Sequence, residues 1–138
     1  MNWDFPSASQ RMPVLAGNVV CTSQPLASSA GLRMLARGGN AIDSAAATAI
    51  TLTVVEPCTN GIGGDVYAMV WDGQQLQSLY ASGRAPWRWT RDHFSRYNKM
   101  RAHGRDTVTV PGAVSSWRAL SERFGALHFC RRTNDLQI

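Results

Sequence analysis

The sequence has 138 residues and a mass of 15.1 kDa, room for one domain of ordinary size. A hydrophobic content of 44% excludes wholesale disorder, and no apolar stretch approaches the ~20 residues that span a bilayer, which excludes a membrane-spanning protein. Charged residues make up only 17%, below the ~25% of an average domain, so part of the surface is expected to be covered by something else.

The net charge of +5 is concentrated. Residues 1–83 hold 3 basic and 5 acidic side chains, residues 84–105 hold 7 and 1, and residues 106–138 hold 4 and 3. The basic segment also carries Trp87, Trp89, Phe94 and Tyr97. Cations interleaved with aromatics are one signature of nucleic-acid binding. No RNP, zinc-finger or basic-zipper pattern accompanies them, so an ordinary solvated or subunit-facing surface is the preferred reading.

Along the chain, residues 1–20 look irregular, broken by Pro6, Pro13 and Gly17. Residues 19–22 (Val-Val-Cys-Thr) predict a short buried strand. Ser23 ahead of Pro25 punctuates a helix start, and Leu26, Ala27, Ala30, Gly31, Met34 and Leu35 form one apolar stripe that ends at Gly38-Gly39. Asn40 is the expected cap of a second, alanine-rich helix over residues 41–54, with Asp43 near its positive end and Pro57 beyond it.

The run Thr59-Asn60-Gly61-Ile62-Gly63-Gly64-Asp65 predicts a special backbone turn. Residues 66–71 and 76–81 predict two strands joined at Asp72-Gly73. A short helix is expected over 90–99 with Thr90 as cap, a strand over 107–110, and a last helix over 113–124 stopped by Gly125. Helices followed by a hairpin imply an α+β layer arrangement. A nucleotide-binding α/β alternative fits poorly, because a phosphate loop follows a strand and precedes a helix, the reverse of the order around Gly61–Gly64.

The residues themselves give little catalytic chemistry. His93, His103 and His128 lie in polar or irregular stretches and read as surface residues, and no carboxylate pair stands out. Cys21, Cys58 and Cys130 are widely spaced, with no metal-ligand pattern, and read as reduced, mostly buried thiols. No metal and no cofactor are expected. Arg84, in Ser82-Gly83-Arg84-Ala85-Pro86 at a strand end, has a fork suited to gripping a carboxylate, although spacing alone favours a surface ion pair.

Several blocks taken together resemble the gamma-glutamyltranspeptidase family. They are Ser23-Gln24-Pro25-Leu26-Ala27, Gly31-Leu32-Arg33-Met34-Leu35, Gly38-Gly39-Asn40-Ala41-Ile42-Asp43 and Val54-Val55-Glu56-Pro57. Three more follow in the family's order: Asn60-Gly61-Ile62-Gly63-Gly64-Asp65, Ser82-Gly83-Arg84-Ala85-Pro86 and Val110-Pro111-Gly112-Ala113-Val114. The resemblance covers about residues 8–129. It implies the N-terminal portion of an N-terminal-nucleophile hydrolase with an αββα sandwich, made as a precursor that cuts itself into large and small subunits. It implies a threonine nucleophile and an oxyanion hole in the small subunit, neither matched here. Partners would be the rest of the large subunit, the small subunit and a gamma-glutamyl small molecule, with neither membrane nor nucleic acid expected. Arg84 matches the arginine that pairs with the substrate alpha-carboxylate, and Trp87 and Trp89 depart from the small residues usual there.

After residue 127 the family pattern is lost. Codons for Phe-Cys-Arg-Arg-Thr-Asn-Asp can be chosen that read Phe-Ala-Asp-Val-Leu-Thr in a neighbouring frame, so residues 1–127 are expected to be a large-subunit segment and 128–138 a divergent, frameshifted tail. The expectation is then a fragment inactive alone. The other reading is a basic interaction module binding nucleic acid or an acidic partner through residues 84–105. The start Met1-Asn2-Trp3-Asp4-Phe5-Pro6 lacks the pattern of a secretory signal, which points to the cytoplasm, or to the periplasm if the start is misassigned.

Overall fold

The computed structural model describes residues 13–129. Cys130 and most of the divergent tail, with the first twelve residues, lie outside them. Helix α1 spans Pro25–Ala36 and helix α2 spans Ala41–Val55. Pro25 opens α1 where no backbone donor is needed. The cap is Gln24, whose side-chain oxygen accepts from the Leu26 N–H at 2.6 Å, and not the expected Ser23. The Ser23 hydroxyl instead donates to Glu56 Oε2 at 2.5 Å, tying the entry of α1 to the exit of α2. The two helices are joined through Gly38 at φ +84° and Gly39, whose N–H reaches back to the Met34 carbonyl at 3.0 Å.

Small residues let α1 and α2 lie close. A Cβ on Gly31 would meet Thr48 Oγ1 at 2.4 Å and Ser44 Oγ at 2.8 Å. The buried stripe of α1 is Ala27, Ala30, Gly31 and Met34, while Leu26 stays mostly exposed. The stripe is therefore narrower than the sequence suggests, because a helix pressed against an alanine-rich partner buries its small residues first.

At the start of α2, Asn40 and Asp43 form a reciprocal capping box. Asn40 Oδ1 accepts from the Ile42 and Asp43 N–H groups, and Asp43 Oδ2 accepts from the Asn40 N–H at 2.9 Å. Asp43 is wholly buried.

Strands β1 (Val66–Trp71) and β2 (Leu76–Ala81) form an antiparallel hairpin, with Tyr67 opposite Tyr80 and Trp71 opposite Leu76. Its turn is held by Asp72, whose Oδ1 accepts from the Gln74 and Gln75 N–H groups at 2.9 Å each. Helix α3 covers only Arg91–Phe94, shorter than the expected 90–99, with Thr90 as its cap. Residues 105–107 form one 3-10 turn and residues 108–110 run extended without pairing as a strand. Helix α4 spans Ala113–Phe124 and buries Ala113, Ser116, Trp117 and Ser121.

The α+β reading holds. Helix α4 packs under one face of the hairpin, where Leu79 and Val70 approach Leu120 and Phe124, and α4 in turn packs on α2. Residues 19–22 form no strand, since among the described residues nothing pairs with them. Cys21 and Cys58 are exposed, contrary to expectation, because they lie in the irregular lead into α1 and in the turn after α2 and not on the packed helix faces. Among the described residues no helix is long and apolar enough to cross a membrane.

Candidate functional site

Three segments far apart in sequence meet at one end of the hairpin. The glycine turn closes on itself, with the Gly64 N–H donating to the Gly61 carbonyl at 3.1 Å. The Gly64 carbonyl then accepts from the Gly112 and Ala113 N–H groups at 3.2 and 3.1 Å, satisfying donors at the start of α4 that no side chain caps. The strand-end segment joins the same knot. The Val110 N–H donates to the Arg84 carbonyl at 3.0 Å, and the Thr109 hydroxyl donates to the Ser82 carbonyl at 3.2 Å.

Glycine is required where these chains cross. Gly83 has φ +72°, and a Cβ there would lie 1.7 Å from the Val110 carbonyl oxygen. A Cβ on Gly112 would lie 2.4 Å from the Ala81 carbonyl oxygen. The backbone of Arg84 is thus fixed on both sides. Its side chain is exposed and makes no hydrogen bond or ion pair with another described residue. Among the described residues, the surface ion pair that spacing alone favours has no partner within reach.

Beside this knot the Tyr67 and Tyr80 rings pack edge to face with centroids 5.0 Å apart. Hydrogen bonds from Ser82 and Tyr67 hold the Tyr80 hydroxyl below the usual tyrosine range. The Tyr67 hydroxyl, bonded to Tyr80, is held above it. The outer face of the hairpin continues with Met69, Trp71 and Leu76, all exposed; Met69 is 74% and Tyr80 75% accessible. An apolar, exposed sheet face of this kind is suited to being covered by another layer.

The basic segment folds on itself around Asp106. Tyr97 donates to Asp106 Oδ2 at 2.5 Å, Arg96 Nη2 reaches the same oxygen at 3.0 Å, and His93 Nε2 lies 3.2 Å from Oδ1. The Tyr97 hydrogen bond, then those of His93 and Arg96, lower the Asp106 carboxyl to about 2. The guanidinium groups of Arg96 and Arg101 sit over the Tyr97 ring at 4.9 and 5.3 Å, and Arg88 sits over Trp87 at 5.7 Å. Rings and cations that would read a nucleic acid are partly engaged with each other, and nothing supports the interaction-module reading. His93 is half-buried and engaged, whereas His103 and His128 are exposed. Among the described residues no group of His, Cys, Asp and Glu gathers as a metal site would. Sequence reasoning missed Asp106 as a hub, because its partners lie 9, 10 and 13 residues away at no recognisable spacing.

A helical layer on one face of a hairpin, with the other face bare, is half of an αββα sandwich, the architecture of N-terminal-nucleophile hydrolases. A profile of gamma-glutamyltranspeptidases matches residues 27–132, and the chain belongs to the gamma-glutamyltranspeptidase family. It is 37% identical over 112 residues to the glutathione hydrolase-like YwrD proenzyme of Bacillus subtilis, covering 79% of this chain and 21% of that protein. It is 38% identical over 122 residues to the acylase ACY 1 proenzyme of Pseudomonas sp. (strain V22), covering 79% and 22%. Among solved structures, Helicobacter pylori gamma-glutamyltranspeptidase superposes with a TM-score of 0.80 at 28% identity, covering 90% of this chain and 37% of that one. Cephalosporin acylase from Bacillus halodurans gives 0.76 at 43% identity, covering 91% and 24%. The chain spans about a fifth of the length of the curated relatives it matches.

Proposed function

We propose that this chain is the N-terminal part of the large subunit of an amidohydrolase or acyltransferase that acts on gamma-glutamyl amides of the glutathione type. The nucleophile would be the N-terminal threonine of a small subunit, with its own amine as base, and the acyl-enzyme would pass to water or an amino acid. The chain alone is then inactive. Its contribution is Arg84, which would grip the alpha-carboxylate of the glutamyl group in bidentate fashion.

One observation carries this reading. Three of the family blocks converge at Gly64, Arg84 and Gly112, and they fix the Arg84 backbone while its guanidinium has no partner among the described residues. A rigid backbone beneath an unpaired fork suits an anionic ligand. The bare hairpin face is where the rest of the precursor would lie.

The test is a full-length enzyme in which residues 13–129 replace the matching segment of the Bacillus halodurans cephalosporin acylase. Turnover of a gamma-glutamyl anilide is expected from this chimera and not from the 138-residue chain. Arg84→Lys is expected to raise KM about tenfold with less effect on kcat, since one charge-assisted hydrogen bond is lost. An unchanged KM removes Arg84 from the site.

A further inference from the structure

The outer face of the hairpin is apolar toward its turn and polar at the opposite end. Continuing the register one place beyond Val66 opposite Ala81 brings Asp65 across from Ser82. Side chains alternate along a strand, so Asp65 shares a face with Tyr67, and Ser82 shares it with Tyr80. The Tyr67 hydroxyl is shifted first by Tyr80 and the Tyr80 hydroxyl first by Ser82, and the Asp65 carboxylate adds a weaker repulsion that acts upward on both. Three hydroxyls and one carboxylate thus gather where the exposed Met69, Trp71 and Leu76 give way.

One glycine brings Asp65 and Arg84 to the same place. Asp65 directly follows Gly64, whose carbonyl accepts from the Gly112 N–H at 3.2 Å. Arg84 directly follows Gly83, whose nitrogen lies 3.0 Å from where a Cβ on Gly112 would stand. Both charged side chains are exposed, and neither makes a hydrogen bond or ion pair with another described residue. They do not pair with each other either. A carboxylate on a face suited to being covered is costly unless a cation meets it there. The guanidinium beside it calls for an anion. One small molecule that carries both charges on neighbouring atoms answers both needs.

We propose that Asp65 and Arg84 form a two-charge clamp on the substrate acyl group, with Arg84 on its alpha-carboxylate and Asp65 on its alpha-ammonium. This rests on the reading of Arg84 as a substrate ligand, and it narrows the acyl group that the site takes. The matched relatives include glutathione hydrolases and an acylase at similar identity, so family membership alone does not choose that group. The clamp chooses it. A gamma-glutamyl group carries ammonium and carboxylate on one carbon and neutralises both side chains. A glutaryl group is the same chain without the ammonium, and it leaves Asp65 uncompensated beside a second carboxylate. An ammonium has three protons to give, and the Tyr80 and Ser82 hydroxyls stand on the same face to accept those that Asp65 does not. Asp65 is then a specificity residue that takes no part in bond making.

The acylase chimera tests this with gamma-glutamyl and glutaryl anilides, which differ only in the ammonium group. Asp65→Asn keeps the shape of the side chain and removes its charge. It is expected to lower the ratio of kcat/KM for the gamma-glutamyl over the glutaryl anilide about tenfold. Arg84→Lys is expected to lower kcat/KM for both and to leave their ratio unchanged. A ratio that Asp65→Asn does not move overturns the clamp and leaves the enzymatic reading in place. Turnover of the glutaryl anilide alone overturns the clamp together with the gamma-glutamyl reading. If neither anilide is turned over, the enzymatic reading falls, and amide chemical shifts of the 138-residue chain decide the clamp. The gamma-glutamyl anilide is expected to shift the Asp65 and Arg84 amides more than the glutaryl anilide does, and Asp65→Asn is expected to abolish the difference. Equal shifts from the two anilides, or none from either, overturn the proposal.

Discussion

Asp43 Oδ2 accepts from the backbone N–H of Ala126 at 3.0 Å, although the two residues are 83 positions apart. The same oxygen accepts from Leu127 at 3.1 Å and from its capping partner Asn40 at 2.9 Å. Asn40 in turn donates through Nδ2 to the Phe124 carbonyl at 2.6 Å. The start of α2 therefore clamps the chain where it leaves α4. The clamp lets one buried carboxylate serve as both helix cap and tertiary tie.

Removing that carboxylate strands three donors. Asp43→Ala is expected to cost about 3 kcal/mol or more, since each buried donor left unmade costs roughly 1–3 kcal/mol. Ile42→Ala, on the same turn but half-buried, is expected to cost less. Urea unfolding midpoints at constant slope check both, and equal midpoints for Asp43→Ala and wild type refute the clamp.

The contact of Gly31 with α2 is expected to be a matter of volume. Gly31→Ala pushes a methyl onto Thr48 Oγ1 and Ser44 Oγ and is expected to cost about 1–3 kcal/mol. Thr48→Ala removes the nearer obstacle, so the double variant is expected to recover part of the loss. Strict additivity in the double-mutant cycle counts against the contact.

Gly38 and Gly83 both have positive φ, yet they are expected to respond differently. Gly38→Ala meets nothing within 4 Å and costs only the left-handed conformation, about 1 kcal/mol. Gly83→Ala adds a collision with the Val110 carbonyl and is expected to cost several times more. In the full-length chimera it is also expected to displace Arg84. Thermal midpoints that fall equally for the two variants refute the crossing of residues 83 and 110.

Asp106 is expected to order the basic segment near neutral pH and to release it in acid. Its folded carboxyl lies near 2 and its ordinary value is 3.8, so its contribution to stability is present above about pH 4 and is lost as pH falls toward 2. Tyr97→Phe removes the largest stabiliser of the carboxylate and is expected to move the midpoint up toward 3.8. Carboxyl carbon shifts followed by NMR read this directly, and a wild-type midpoint at or above 3.8 contradicts the hub.

The helix pair and the hairpin were legible in the sequence because local rules write them. Asn40 with Asp43 specifies a cap, Pro25 a first turn, Gly38-Gly39 an end, and Asp72-Gly73 a reversal between two alternating runs. The family could be read as well, because its blocks are short, rich in glycine and proline, and ordered. Residues 107–110 misled, since Thr-Val-Thr-Val is strand-like in composition but lies against Ser82 and Arg84 as single chain. Residues 19–22 misled for a related reason. A strand exists only where another backbone completes it.

What the sequence determined by itself is this set of local elements and the family that their blocks spell out. What only the tertiary structure decided is which distant residues share a task. Asp43 reaching residues 126 and 127, Gly64 capping α4, Arg84 without a partner among the described residues above a fixed backbone, and Asp106 gathering His93, Arg96 and Tyr97 all depend on packing. Local conformation is set by neighbours within a few residues. These contacts join chain segments separated by up to 84 positions, and no spacing in a sequence records which of them will touch.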